Sequence, residues 1–136
     1  MTTVDLTMLK SRAVAGLIAE AATEWRLLTY RDLREALLTR TGVQLSGTFD
    51  EWHRLGDVSG YLLERGLTMA SGIVVNERHG LTPGASFVGW VVQERTGRDP
   101  AEVPEDEKRR IVADEQLETF RRADEIMEAV RHWTIA

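Results

Sequence analysis

The stretch "GIVVNERHGLTPGASF", residues 72–87, decides the fold, because the spacing of apolar residues changes there from helical to extended. The β-branched run at residues 73–75 is typical of a strand. Gly80 and the Pro83-Gly84 pair mark turns in the loop that follows. This stretch therefore predicts a strand, then a loop, then the start of another element.

Two helices are predicted at the N-terminus. Over residues 7–28, apolar residues recur every three or four positions, which indicates one buried helix face. Thr29 precedes Asp32 by three positions, and this capping-box spacing predicts the start of a second helix. Gly42 is suited to end that helix, because glycine readily adopts the left-handed backbone of a helix C-terminus.

A third helix is predicted by the same spacing. Thr48 and Glu51 repeat the capping-box arrangement, and Gly66 marks the end of the helical pattern. We expect Trp52 to lie on the buried face of this helix. Extended chain is predicted over residues 67–76, where the helical spacing stops.

The stretch "SFVGWVVQERTG", residues 86–97, fits two different structures. Its three valines favour a strand, and a hairpin back onto residues 73–75 would be the simplest topology. Ser86 as an N-cap and Gly97 as a C-terminal stop favour a short helix instead. Of the two structures, we favour the helix.

The C-terminal part predicts one long helix. Pro104 is followed by three acidic residues, which is typical of a helix start. A helix over residues 104–133 would be about 45 Å long, which exceeds the size of a compact domain of this length. We expect it either to break near residues 112–116 or to project toward a partner. Its apolar positions are Ala113, Leu117, Phe120, Met127 and Val130.

The fold class that follows from these elements is α+β and mostly α. Three N-terminal helices are expected in a winged-helix-like arrangement, followed by a short strand region and a long C-terminal helix. A chain of 136 residues fits a single domain, residues 1–136. Its parts are the three helices (1–66), a strand, loop and short helix (67–97) and the C-terminal helix (104–134).

The composition excludes several functional classes but identifies no specific function. The chain has no cysteine and a net charge of −5, which excludes thiolate chemistry and opposes strong non-specific DNA binding. The histidines are too far apart in sequence for a metal site, and no motif of a catalytic nucleophile or phosphate-binding loop occurs. We therefore assign no catalytic residue, metal or cofactor, and no enzyme class is indicated. Without a secretory signal or a membrane-length apolar run, we expect a soluble cytoplasmic protein with no membrane partner.

Two resemblances involve the stretches described above. "TYRDLREAL", "VSGYLLERGL" and "GIVVNERHG" resemble the winged-helix DNA-binding domain of alkyltransferase-like proteins. This resemblance implies that helix three reads the DNA major groove. The Pro-Cys-His-Arg active-site motif of that family is absent, so alkyl transfer is not implied.

The second resemblance covers most of the chain from Leu28 onward. "LTYRDL", "LTMASGIVVNERHGLTPGASF" and "EAVRHW" are similar to a group of small bacterial and phage domains. These domains share a tyrosine-led helix start, a "VVN…G…PG…F" segment and a tryptophan near the C-terminus. The resemblance implies a helix after Phe87 and adds no activity.

One functional hypothesis is a non-enzymatic, nucleic-acid-associated accessory or regulatory protein. Helix three and the loop after Asn76 would contact a phosphate backbone, because cationic side chains supply most of the affinity for phosphates. The candidate contacts are Arg31, Arg34, Arg54, Arg65, Arg78 and His79. If the arginines of helices two and three instead pair with nearby carboxylates, the protein-interaction alternative is favoured over this hypothesis; the candidates for such pairing are Asp32, Glu35, Asp50 and Glu64.

The alternative is a protein–protein interaction module or a homo-oligomer that binds no nucleic acid. It would act through the acidic C-terminal helix, pairing with itself or with another protein. Aromatic residues are enriched where binding energy concentrates, so the tryptophan near the C-terminus is a suitable anchor. The candidate interface residues are Phe120, Met127, Val130 and Trp133.

Overall fold

The chain is mostly helical in its computed structural model, which describes residues 6–79 and 81–134. Helices account for 73% of it, which confirms the mostly α class. The α-helices are α1 (Leu6–Thr23), α2 (Tyr30–Thr41), α3 (Thr48–Leu63), α4 (Ala85–Thr96), α5 (Glu105–Arg121) and α6 (Ala123–Arg131). Two short strands, β1 (Leu28–Thr29) and β2 (Val74–Val75), complete the α+β architecture.

The boundaries of α2 agree with the capping prediction, whereas α1 is shorter than predicted. The Thr29 hydroxyl accepts a hydrogen bond from the Asp32 N–H at 3.1 Å, and Gly42 ends α2 in the left-handed conformation. α1 stops at Thr23 instead of continuing to residue 28. The reason is Trp25, whose φ of 54° turns the chain out of the helix and leaves its ring exposed.

α3 differs from the prediction at its start and on its buried face. Its N-cap is Gly47, with φ 119°, rather than Thr48. Trp52 is 52% exposed, and Glu51 occupies the buried position one turn before Leu55. A carboxylate is tolerated there because Arg34 of α2 pairs with it.

The two strands pair in parallel, and the hairpin between residues 73–75 and 86–97, which was the alternative to the favoured helix, does not form. Leu28 lies opposite Val74 and Thr29 opposite Val75. A parallel pair requires a long crossover connection, which α2 and α3 provide. Most of the predicted extended region before β2 is instead loop and a 3-10 turn, Ala70–Ile73. The winged-helix arrangement is not confirmed.

α4 settles the ambiguous stretch in favour of a helix, although Ser86 is not its cap. Gly84 occupies the N-cap position and Gly97 ends the helix with φ 68°. The ring of Phe87, in the first turn, lies so close to Gly72 that a Cβ on Gly72 would be 2.6 Å from it. Gly72 therefore allows α4 to pack onto the 3-10 turn before β2.

The predicted long C-terminal helix is two helices, and the break is at Arg122 rather than near residues 112–116. Arg122 leaves helical geometry, with φ −102° and ψ 21°, and its guanidinium donates to the Gly66 carbonyl at 2.9 Å. After the break, α6 packs against α1, so the C-terminal region does not project.

The buried face of α5 is more polar than predicted. Val112, Glu115 and Thr119 are buried, whereas Ala113 and Leu117 are exposed. The apolar spacing did not identify this face because two of its three residues are polar.

The main core surrounds α1, which packs against α3 on one side and α6 on the other. Val14 and Ile18 of α1 are fully buried there, together with Leu33, Leu62 and Ile126 from three other helices. Within residues 6–79 and 81–134, no helix combines the length and apolar content needed to cross a membrane.

Candidate ligand-binding cleft

An open cleft of about 560 Å³ lies between the first turns of α2 and α3 and the chain that follows β2. We call it the arginine cleft. Its lining includes three arginines (Arg31, Arg34 and Arg78), two acids (Glu51 and Glu77) and the side chains of Tyr30, Trp52 and Asn76. Three of the six predicted phosphate contacts are therefore brought together.

The parallel strands explain why these residues meet. β1 runs directly into α2, and β2 runs into the turn Glu77–His79. Because the strands are parallel and in register, their carboxyl ends lie at the same edge of the small sheet. The residues that follow each strand consequently face one cleft, which is the usual position of ligands in parallel α/β structures.

The pair of Arg34 and Glu51 forms one wall of the arginine cleft. Arg34 Nη1 donates to both carboxylate oxygens of Glu51, at 3.0 and 3.3 Å. Burial raises the pKa of Glu51, and the Arg34 guanidinium partly opposes this rise. The pair therefore holds the Arg34 guanidinium in a fixed position beside the cleft.

Arg31 and Arg78 are less constrained than Arg34. Arg31 has 71% of its side chain exposed and reaches Glu35 at 3.6 Å. The Arg78 side chain is exposed and makes no ion pair with any residue of the described ranges. The Arg78 backbone N–H donates to the Asn76 side-chain oxygen at 2.9 Å, which orders the turn after β2. Both guanidinium groups are thus accessible to an anion.

Two aromatic residues complete the arginine cleft. The Tyr30 hydroxyl accepts a hydrogen bond from the Gly84 N–H at 3.0 Å, and burial raises the pKa of Tyr30. Tyr30 therefore stays protonated at neutral pH, with its own hydroxyl hydrogen available for donation. Trp52 presents an exposed indole ring at the cleft wall.

The other predicted phosphate contacts do not line the arginine cleft. Arg54 is buried, donates to the Thr7 carbonyl at 3.2 Å and lies within 3.7 Å of Asp50. Arg65 covers the Tyr61 ring, with its guanidinium carbon 3.5 Å from the ring centroid. The side chain of His79 lies outside the described part of the structure.

The four predicted interface residues are packed to different degrees within the same chain. Phe120 stacks on Trp25 with 5.4 Å between ring centroids, and Trp133 stacks on Tyr61 at 4.0 Å. Val130 is buried and Met127 is half-buried against the main core. These contacts do not test association with another chain, and the interface hypothesis stays a prediction. Three of the pairings expected to count against nucleic-acid binding are present: Arg31 with Glu35, Arg54 with Asp50 and Arg65 with Glu64.

Sequence reasoning missed Tyr30 and Trp52 as residues of the candidate site. Tyr30 was identified as part of a helix start, and Trp52 was placed in the core. The capping box at Thr29 fixes the position of Tyr30 at the first turn of α2. The sequence spacing therefore placed Tyr30 correctly but did not indicate that it lines a cleft. The exposure of Trp52 depends on the pairing of Glu51 with Arg34, which local spacing does not reveal.

The arginine cleft is suited to binding an anion that carries a flat ring. Guanidinium groups bind phosphate or carboxylate, and exposed aromatic rings stack on planar groups. No protein-family model matches the chain, and no curated protein or solved structure is significantly similar to it.

Proposed function

We propose that the protein is a non-enzymatic, nucleic-acid-associated accessory or regulatory protein that binds single-stranded nucleic acid in the arginine cleft. The observation that carries this proposal is the convergence of Arg31, Arg34 and Arg78 beside the exposed ring of Trp52. A positively charged groove combined with stacking aromatic rings is typical of proteins that bind single strands.

The shape of the cleft favours a single strand over a duplex. The site is concave, and α3 contributes only its first turns to it, whereas Leu55, Val58 and Leu62 of the same helix are buried in the core. Reading a duplex through the major groove requires a helix that enters the groove. A flexible strand instead fits a cleft between helices.

The ion pairs of the cleft arginines leave two of their guanidinium groups accessible to phosphate. The exposed pair of Arg31 and Glu35 contributes about 0 to 1 kcal/mol, so a phosphate can replace Glu35 at low cost. Arg78 loses no ion pair with a described residue on binding. The net charge of −5 opposes non-specific binding of a nucleic acid.

The test compares two double variants that remove the same charge. Arg31→Ala with Arg78→Ala removes two cleft arginines. Arg109→Ala with Arg121→Ala removes two exposed arginines of α5, each paired with an acid three residues earlier. Fluorescence anisotropy with a labelled oligo-dT of about 12 nucleotides, at about 50 and 200 mM salt, gives the affinity and its salt slope.

We expect the cleft variant to bind at least about tenfold more weakly, and its salt slope to decrease by about 1.4, because each single-strand phosphate contact contributes about 0.7. The α5 variant should stay close to wild type. Equal weakening in the two variants would exclude the cleft as the site. A folded wild-type protein that does not bind oligo-dT at low salt would refute the proposal.

A further inference from the structure

A second cavity of about 90 Å³ adjoins the arginine cleft and shares Tyr30, Trp52 and Gly84 with it. We call it the aromatic pocket. Its walls also include the rings of Phe87 and Trp90, both from α4. Four aromatic side chains from three helices thus line one small space beside three arginines.

Two of the rings that line the aromatic pocket are positioned by contacts with other residues. The Gly84 N–H donates a hydrogen bond to the Tyr30 hydroxyl oxygen at 3.0 Å, which fixes the position of the Tyr30 ring. The Phe87 ring is packed against Gly72, where a side chain would collide with it. A binding site whose rings are already positioned loses little conformational entropy when a ligand enters.

We propose, building on the function proposed above, that the aromatic pocket receives one unstacked base of the strand whose phosphates bind the cleft arginines. The aromatic rings provide stacking partners for a planar base. At about 90 Å³ the pocket is smaller than the cavity of about 150 Å³ that holds a benzene molecule, so it admits one edge of a base, and the rest of the base lies in the adjoining arginine cleft. The Tyr30 hydroxyl, at the junction of the two cavities, donates a hydrogen bond to the nucleotide.

Gly56 of α3 allows the pocket to be filled without altering its walls. It lines the aromatic pocket, and a Cβ built on it meets no atom within 4 Å. Gly56→Leu therefore places a side chain in the space assigned to the base. Gly60, one turn later on the same helix, also has an unobstructed Cβ position and does not line the pocket. Gly60→Leu is the matched control, because both changes raise helix propensity equally.

The experiment measures the binding of oligo-dT and of an abasic strand of the same length, which has the same phosphates and no bases. Wild-type protein and Gly60→Leu should bind oligo-dT about tenfold more tightly than the abasic strand. Gly56→Leu should bind the two strands equally. If Gly56→Leu does not fold, Ser86→Phe fills the same pocket from the exposed start of α4.

Three results would overturn the inference, and one of them also tests the function on which it depends. Equal wild-type affinity for the two strands would show that no base is bound, while phosphate binding in the arginine cleft would stand. A folded Gly56→Leu that still prefers oligo-dT would place the base elsewhere. Failure of the wild-type protein to bind either strand would refute the proposed function as well.

Discussion

The carboxylate of Glu51 lies in the wall of the arginine cleft, with 6% of its side chain exposed and Arg34 as its partner. Burial disfavours the charged form of this group and raises its pKa above 4.5, despite the nearby guanidinium. The folded protein therefore holds this proton more tightly than the unfolded chain. It follows that the contribution of Glu51 to stability is fully present below about pH 4.5 and is lost as the pH rises through its folded-state pKa.

Replacing Glu51 by glutamine removes this titration while keeping the shape of the side chain. We expect Glu51→Gln to gain stability relative to wild type as the pH rises: its free energy of unfolding minus that of wild type should be larger at about pH 7 than at about pH 4. Urea denaturation at the two pH values measures the difference. Glu35→Gln, which neutralises an exposed carboxylate of α2, is the control. A relative stability of Glu51→Gln that falls between pH 4 and pH 7 would contradict the raised pKa.

Local spacing predicted single residues well where the physical cause is also local. The cap of α2 and the left-handed glycines at residues 42 and 97 depend on neighbouring backbone groups, and they were identified correctly. Trp52 was placed incorrectly because its exposure follows from a contact between Glu51 and Arg34, 17 residues apart. Three of the six predicted phosphate contacts lie in the arginine cleft, and its aromatic residues were missed.

The segment before β2, residues 69–72, is held in place by side chains of α5 rather than by strand pairing. The Met69 N–H donates to the buried Glu115 carboxylate at 2.8 Å, and the Gly72 carbonyl accepts from the Gln116 side chain at 2.9 Å. Side chains of α5 thus satisfy backbone groups that a strand ladder would otherwise satisfy. The β-branched sequence at 73–75 suggested a longer strand, and the polar face of α5 explains why only two residues are needed.

Removing Glu115 should loosen this segment. Glu115→Ala leaves the buried Met69 N–H without its acceptor and removes the partner that Arg95 contacts at 2.6 and 2.7 Å. We expect the free energy of unfolding to fall by about 1.5 to 3 kcal/mol, because hydrogen bonds to a charged group are lost and the buried Met69 N–H is left unsatisfied. Urea denaturation measures this loss.

The control for this prediction is Glu118→Ala on the same helix. Glu118 is exposed and pairs with Arg121 at 3.2 Å, so its removal should change stability by about 0 to 1 kcal/mol. Equal losses in the two variants would mean that α5 does not hold the segment through Glu115.

Element types were more predictable than the ends of elements. The acidic residues after Pro104 marked the start of α5, because they interact with the helix they begin. The break at Arg122 was misplaced because its partner, the Gly66 carbonyl, is 56 residues away in sequence. Contacts of this separation leave no mark in the spacing of neighbouring residues.

At the scale of the whole molecule, the first and last helices form one core. α6 packs against α1, and Trp133, just after α6, is 3% exposed. The Trp133 ring stacks on Tyr61 of α3, and its carbonyl accepts from Arg12 of α1 at 3.4 Å. The C-terminal residues therefore connect three helices that are distant in sequence.

The burial of Trp133 predicts that it stabilises the fold of its own chain rather than a contact between chains. Trp133→Ala should lower the free energy of unfolding by about 3 to 5 kcal/mol, because it leaves a cavity between α3 and α1. Trp25→Ala is the matched control: that tryptophan is 58% exposed and stacks on Phe120, so its loss should remove about 0.5 to 1.5 kcal/mol. Urea denaturation, with light scattering on the same samples, measures stability and oligomeric state together. A wild-type oligomer that becomes a folded monomer of unchanged stability in Trp133→Ala would show instead that Trp133 acts between chains.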